Sequence, residues 1–260
     1  MNKTKIEWCD STWNPVTGCL HRCEYCYARR IAARFGGYDS SGGSVTTRNP
    51  LPRAELLQPL TITRKNGETV NSPFPFGFEP TLHHYRLDEP RHRREPQTIF
   101  VCSMADLFGD WVPVSWIMEV FAACEAAPWH CYLFLTKNPE RYQSLAMAGI
   151  LPEKDNFWYG SSTPDPNTPF WWSKRHNTFA SIEPMMEPFP SAGDCSVKKL
   201  DWVIMGAMTG PGSKAHQPER EWVESLVRVA QAANVPVFLK NSLLPIMGEE
   251  NMRQEVPWGK

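Results

Sequence analysis

Six short apolar runs recur through the later part of the chain, at 98–102, 132–136, 157–160, 178–182, 202–206 and 236–240. They are continuous rather than alternating, the pattern of strands buried on both faces. Helical patterning lies between several of them. Residues 116–127 follow the first run, and Asn138-Pro139-Glu140-Arg141 follows the second, with a capping residue and then proline at the first helical position. Before the last run, Trp222, Val223, Leu226, Val227 and Ala230 mark one apolar helix face. Strand–helix alternation implies a parallel sheet with right-handed crossovers. A further strand near 12–17 brings the count to about seven β/α units, one short of a closed eightfold barrel. The expected fold is therefore α/β: a partial (open) β/α barrel of about six to seven parallel strands, in a single domain spanning 1–260. An irregular insert is expected at about 36–96. Glycine pairs and prolines crowd residues 36–80, with one hairpin at 60–63 and 69–70 around Asn66-Gly67.

In such sheets the reactive groups sit at the carboxyl ends of the strands. Three of the eight cysteines crowd into one such end, Cys19-Leu20-His21-Arg22-Cys23-Glu24-Tyr25-Cys26, just after the first expected strand. Ala28, Ile31, Ala32 and Phe35 follow at the spacing of an apolar helix face, ended by Gly36-Gly37. The triad thus falls between a strand and a helix, whose N-terminus favours negative charge. No run of ~18 apolar residues is present, and no apolar stretch follows the first lysines. The expectation is a chain with no membrane span or secretory signal, with reduced thiols in a cytoplasm. Lys and Arg total 27 against 28 Asp and Glu, which excludes a polycation but not a local basic patch.

Three readings of the cysteines compete. A structural zinc site needs a fourth ligand, such as His21 or Cys9. Ordinary buried thiols rarely come so close together in sequence. An iron–sulfur cluster with three protein ligands would leave one iron open for a substrate or cofactor.

Cys19-x3-Cys23-x2-Cys26, with Tyr25 before the third cysteine, resembles the signature of the radical S-adenosylmethionine (SAM) superfamily. Beyond the motif, the chain is similar to a phage-associated family of unknown function within that superfamily, related to spore photoproduct lyase. The stretches that carry this likeness are residues 12–19, 100–108, 134–141 and 202–206. Relatives usually show a Gly-Gly-Glu-Ser-Gly-like run after the strand at 202–206. Here the run is Gly206-Ala207-Met208-Thr209-Gly210, without the carboxylate.

The resemblance implies a 4Fe-4S cluster on Cys19, Cys23 and Cys26 and SAM as cofactor. It implies reductive cleavage of SAM to a 5′-deoxyadenosyl radical, with a flavodoxin- or ferredoxin-type electron donor. The Gly-Gly-Glu-Pro run by which many members hold the SAM amino group is missing from the regular region. Spore photoproduct lyase uses a serine, a lysine and a serine after its second, third and fourth strands, which by order correspond to Ser103, Lys137 and Ser161. Lys137 would pair with the SAM carboxylate, Asp106 with its amino group and Tyr25 with adenine, and Glu183 would meet the ribose or the substrate.

Basic residues cluster despite the balanced total. Arg22, Arg29, Arg30 and Arg34 lie on or beside the cysteine helix; Arg86, Arg91, Arg93 and Arg94 lie beside His83-His84-Tyr85; and Trp171-Trp172 is one of several aromatic groups. Phosphate contact with base stacking is how single strands and flipped bases are held. The expected substrate is a nucleobase, a hypermodified thymidine in DNA, with Lys240, Arg93 and Arg94 as substrate contacts. The alternatives are a radical SAM enzyme acting on a peptide or small metabolite, and a non-catalytic metal-binding nucleic-acid module. Cys102 and Cys131 are weak candidates for hydrogen-atom donors, since both fall inside expected strands.

Overall fold

The computed structural model describes residues 1–35, 54–63, 66–190, 196–210 and 212–258. The chain divides into two compact units, Met1–Lys3 with Ser11–Tyr132 and Thr4–Asp10 with Leu133–Lys260. Eight strands belong to a mixed, mostly parallel sheet, and two smaller sheets accompany it.

The first unit holds β1 (Asn2–Lys3), β2 (Ser11–Trp13), β3 (Val16–Thr17), β4 (Ala54–Leu56), β5 (Thr61–Thr63), β6 (Thr69–Asn71), β7 (Thr81–His83) and β8 (Thr98–Val101), with helices α1 (Tyr27–Phe35) and α2 (Val114–Glu125). Its part of the main sheet runs β1-β2-β8, with β1 antiparallel and β8 parallel to β2. A three-stranded sheet is ordered β3-β7-β4, and β5 and β6 form the hairpin expected around Asn66-Gly67. α2 buries Trp116, Ile117, Val120, Phe121 and Cys124.

In the second unit β9 (Cys131–Thr136, begun in the first), β10 (Phe157–Ser162), β11 (Asn177–Ile182), β12 (Trp202–Met205) and β13 (Val237–Leu239) lie side by side in chain order. The β10–β11, β11–β12 and β12–β13 pairs are parallel. The helices are α3 (Pro139–Met147), with proline at its start as expected, α4 (Arg220–Ala232) and the single turn α5 (Leu244–Met247). α4 buries Val223, Leu226, Val227 and Ala230 in a core shared with Val203, Val237 and Leu239. No helix among the described residues is long and apolar enough to cross a membrane.

The expected parallel β/α barrel is corrected here to a mixed sheet with few helices. Its edge strand β1 is antiparallel, and no α-helix follows β10 or β11 among the described residues. The reason lies in the connections. Pro164, Pro166 and Pro169 follow β10, and Pro184, Pro188 and Pro190 follow β11. Proline removes an N–H and clashes with the preceding turn, so neither stretch can coil. The strand expected at 12–17 is also two strands. The chain breaks at Asn14-Pro15, and β3 leaves the main sheet to pair with β7.

The expected 36–96 insert is ordered where it is described, since β4 to β7 fall within it. Its residues 36–53 lie outside the described residues, as does the Gly36-Gly37 helix stop. α1 buries Ala28 and Ala32 only, while Ile31 and Phe35 are exposed, so the expected apolar stripe is half as wide as its spacing suggested.

Candidate functional site

The cysteine loop begins where β3 ends. Gly18 takes φ +89°, and a Cβ there would stand 2.2 Å from the Glu79 carbonyl oxygen, so the backbone passes too close for any side chain. The Gly18 N–H donates to the Met104 carbonyl (3.0 Å) and the Cys19 N–H to the Phe78 carbonyl (3.1 Å). The loop then closes on itself, with the Cys26 N–H donating to the Cys23 carbonyl at 3.2 Å. From the first turn of α1, the Arg29 N–H donates to Cys26 Sγ (3.3 Å) and its guanidinium to the Cys19 carbonyl (3.1 Å).

Burial pushes the Cys19 thiol up to about 12; the His21 N–H pulls it down, and the charges of Asp106, Cys23 and Cys26 push it further up.

The segment after β8 braces this loop. The His21 ring Nε2 and Asp106 Oδ2 are 2.7 Å apart, and Asp106 Oδ1 accepts the Phe108 N–H at 3.0 Å. Tyr27 Oη donates to the Ser103 carbonyl (2.7 Å). The Ser103 hydroxyl and the Met104 N–H both turn to Asn14 Oδ1, at 3.2 and 2.8 Å. Asp106 and Ser103, expected at SAM, thus use their polar atoms to hold the cysteine loop and its neighbouring turn. Tyr25 sits in the loop, partly buried. Asn14 and the His21–Asp106 pairing were not foreseen from sequence.

In the second unit, Lys137 Nζ donates to the Ser162 hydroxyl at 2.8 Å, while the buried Ser161 hydroxyl accepts the Trp171 N–H at 3.0 Å. Successive strand residues face opposite sides. Ser162, not Ser161, therefore shares a side with Lys137. The prediction is that Ser161→Ala lowers stability by about 1–3 kcal/mol by orphaning the Trp171 N–H; melting curves against the wild type measure it, and an unchanged Tm would mean that the hydroxyl does not hold that N–H.

At the carboxyl ends of β11 and β13, Lys240 pairs with Glu183, and Glu7 Oε2 lies 4.0 Å from the same ammonium. A Cβ on Gly206 would stand 3.1 Å from the Glu183 side chain, so glycine leaves room for that carboxylate. Glu7 lies far away in sequence, and no local pattern announced it.

Other candidates are spread more widely. The Arg93 guanidinium reaches the Met1 carbonyl at 3.4 Å, and Arg94 is exposed. His83 is fully buried, held by Thr17 (2.9 Å) and Tyr85 (3.1 Å), and burial lowers its pKa to about 3. Cys102 is buried and its thiol is pushed up to about 12 by burial, while Cys131 is half-buried.

Among the described residues no group of three or more His, Cys, Asp or Glu is arranged to hold a metal ion. A cube of iron and sulfide offers a separate iron to each cysteine, so its ligands need not converge on one point. The donor set suits it: three soft thiols on one loop, one already capped by an N–H. A family model described as "Protein of unknown function (DUF5131)" matches residues 3–246. The chain belongs to this DUF5131 family. No curated protein and no solved structure matches it.

Proposed function

We propose that this DUF5131 protein is a radical SAM enzyme that modifies or rearranges a nucleobase, with a hypermodified thymidine in DNA as its substrate. One observation carries the reading. Three thiols share one loop that runs from the end of β3 into α1, with the Arg29 N–H on Cys26 Sγ. A cluster with one open iron needs only those three ligands; a closed zinc site needs a fourth, which the His21–Asp106 pairing does not bar, since metal-bound histidines commonly pair their other nitrogen with a carboxylate.

Cys19, Cys23 and Cys26 would hold the cluster. When bound and reduced, it supplies the electron that divides SAM into methionine and a 5′-deoxyadenosyl radical, which takes hydrogen from an unreactive carbon. The protein's own residues have nearer tasks. The Arg29 N–H on Cys26 Sγ withdraws charge from one sulfur, a lever on reduction potential. The Gly18 and Tyr27 contacts to the segment after β8 fix the loop at both of its ends. By resemblance, Lys137 takes the SAM carboxylate as a point charge. The electron donor would be a flavodoxin or ferredoxin.

Anaerobic reconstitution with iron and sulfide, followed by dithionite and SAM, tests this. The expected result is acid-labile sulfide in the protein and 5′-deoxyadenosine release that rises with thymidine-modified DNA. One zinc per chain without labile sulfide would remove the radical reading in favour of a metal-binding module. Release indifferent to every nucleic acid would remove the nucleobase and leave a peptide or metabolite substrate.

A further inference from the structure

His21 stands midway between Cys19 and Cys23, and its backbone N–H reaches the Cys19 sulfur. Its ring is held from two sides. Nε2 lies 2.7 Å from Asp106 Oδ2, and the Trp111 indole meets the imidazole edge-on, with centroids 4.8 Å apart. Both supports are themselves fixed. Asp106 is buried, with Oδ1 on the Phe108 N–H, and the Gly109 N–H returns to the Asp106 carbonyl at 3.2 Å. The Trp111 indole lies so close to Gly109 that a Cβ there would stand 2.3 Å from the ring.

A carboxylate accepts, so the hydrogen of the His21–Asp106 pair sits on Nε2. That tautomer puts the lone pair on Nδ1, which has no hydrogen bond among the described residues. A carboxylate behind one imidazole nitrogen is how proteins orient the other toward a metal. The pair is within electrostatic reach of the thiols, because the Asp106 charge is felt at Cys19 together with those of Cys23 and Cys26. The imidazole is also within reach of solvent, with 23% of its side-chain surface exposed, so a small ligand can compete for its place.

We infer that His21 Nδ1 is an exchangeable fourth ligand of the cluster, capping the iron that no cysteine holds until the amino and carboxylate groups of SAM displace it. Asp106 is its positioning residue. The inference rests on the cluster reading above and adds to it a resting state in which the reactive iron is covered. No electron moves in the exchange: the iron–Nδ1 bond breaks as bonds to the SAM nitrogen and oxygen form, and the Nε2 proton stays on the Asp106 side.

The test uses full-length protein labelled with 15N-histidine, reconstituted anaerobically, reduced with dithionite and read by pulsed electron paramagnetic resonance with and without unlabelled SAM. A 15N coupling to the reduced cluster is expected without SAM and should vanish when SAM is added. The chain has seven histidines, and His21→Phe assigns the signal by abolishing it. Phenylalanine keeps a ring against Trp111, and melting curves check that the fold is kept. In equilibrium dialysis His21→Phe should bind SAM at least about threefold more tightly, the factor expected if the imidazole holds the iron two-thirds of the time. Asp106→Asn should shift SAM affinity in the same direction by less, and wild-type affinity there would remove Asp106 as the positioning residue. A wild type that forms 5′-deoxyadenosine but shows no 15N coupling would overturn the capping and leave the radical reading standing. A coupling that persists with SAM would make His21 a permanent ligand and overturn the exchange. Weaker SAM binding by His21→Phe would make His21 a SAM contact and overturn the capping. One zinc per chain without labile sulfide would remove both this inference and the radical reading.

Discussion

If the proposed cluster is present, alanine at Cys19, Cys23 or Cys26 should abolish acid-labile sulfide and drop 5′-deoxyadenosine formation to background, whereas alanine at Cys124 should leave the sulfide content unchanged. The contrast follows from where the thiols lie. The first three are only partly buried, on one short loop, and the proposed cluster would take one iron ligand from each. Losing one leaves the cube with two ligands, so the loss should exceed the ~10–100-fold effects of changes outside the first shell. Cys124 is fully buried in α2, where burial raises its thiol well above the ordinary value and keeps it protonated. It serves as a small apolar side chain, and its replacement costs about 1 kcal/mol or so of packing. Iron and sulfide assays on the four reconstituted variants measure this directly. Full sulfide content in any of the three loop variants would sink the assignment of that cysteine.

How much of this could be read beforehand depended on how local the signal was. Six strands were legible because a strand buried on both faces must be apolar throughout, and nothing between 97 and 240 disguises that. α1 through α4 announced themselves by periodicity or by Pro139. The barrel was an extrapolation: it assumed a helix after every strand and read past the prolines at 164–169 and 184–190. It also read through Pro15, which splits β2 from β3. The β3-β7-β4 sheet brings 16–17 against 81–82, a pairing with no local trace.

At the candidate site the same division holds. The cysteine spacing is written in eight consecutive residues. The pair His21–Asp106 spans a separation of 85 residues, and Lys240–Glu183 spans 57. Ser161 and Ser162 show a finer limit. Ending the strand at 160 instead of 162 left the choice of face open, and one residue of register exchanges the two sides.

The tightest constraint on the cysteine loop carries no chemistry of its own, and Gly18→Ala exposes it. At φ +89° an L-residue is strained by about 1–2 kcal/mol. The new methyl would also stand 2.2 Å from the Glu79 carbonyl oxygen and 2.7 Å from the Pro80 nitrogen, both backbone atoms that no rotamer change can move. Relief requires the loop to part from 79–80, which breaks the Cys19–Phe78 and Gly18–Met104 hydrogen bonds. The expected loss is more than about 3 kcal/mol, a fall in Tm of at least about 6 °C for a chain of this size. Gly149→Ala is the comparator. Its φ is +68°, but no atom of the described residues lies within 4 Å of a Cβ there, so only the torsional strain of about 1 kcal/mol applies. Thermal denaturation of the two variants separates torsion from collision. Equal Tm values would mean that the chain does not press against 79–80, and the brace around the thiols would have to be redrawn. A Gly18→Ala protein that melts low should also reconstitute with less sulfide than Gly149→Ala, because the same backbone step that clashes sets the position of Cys19.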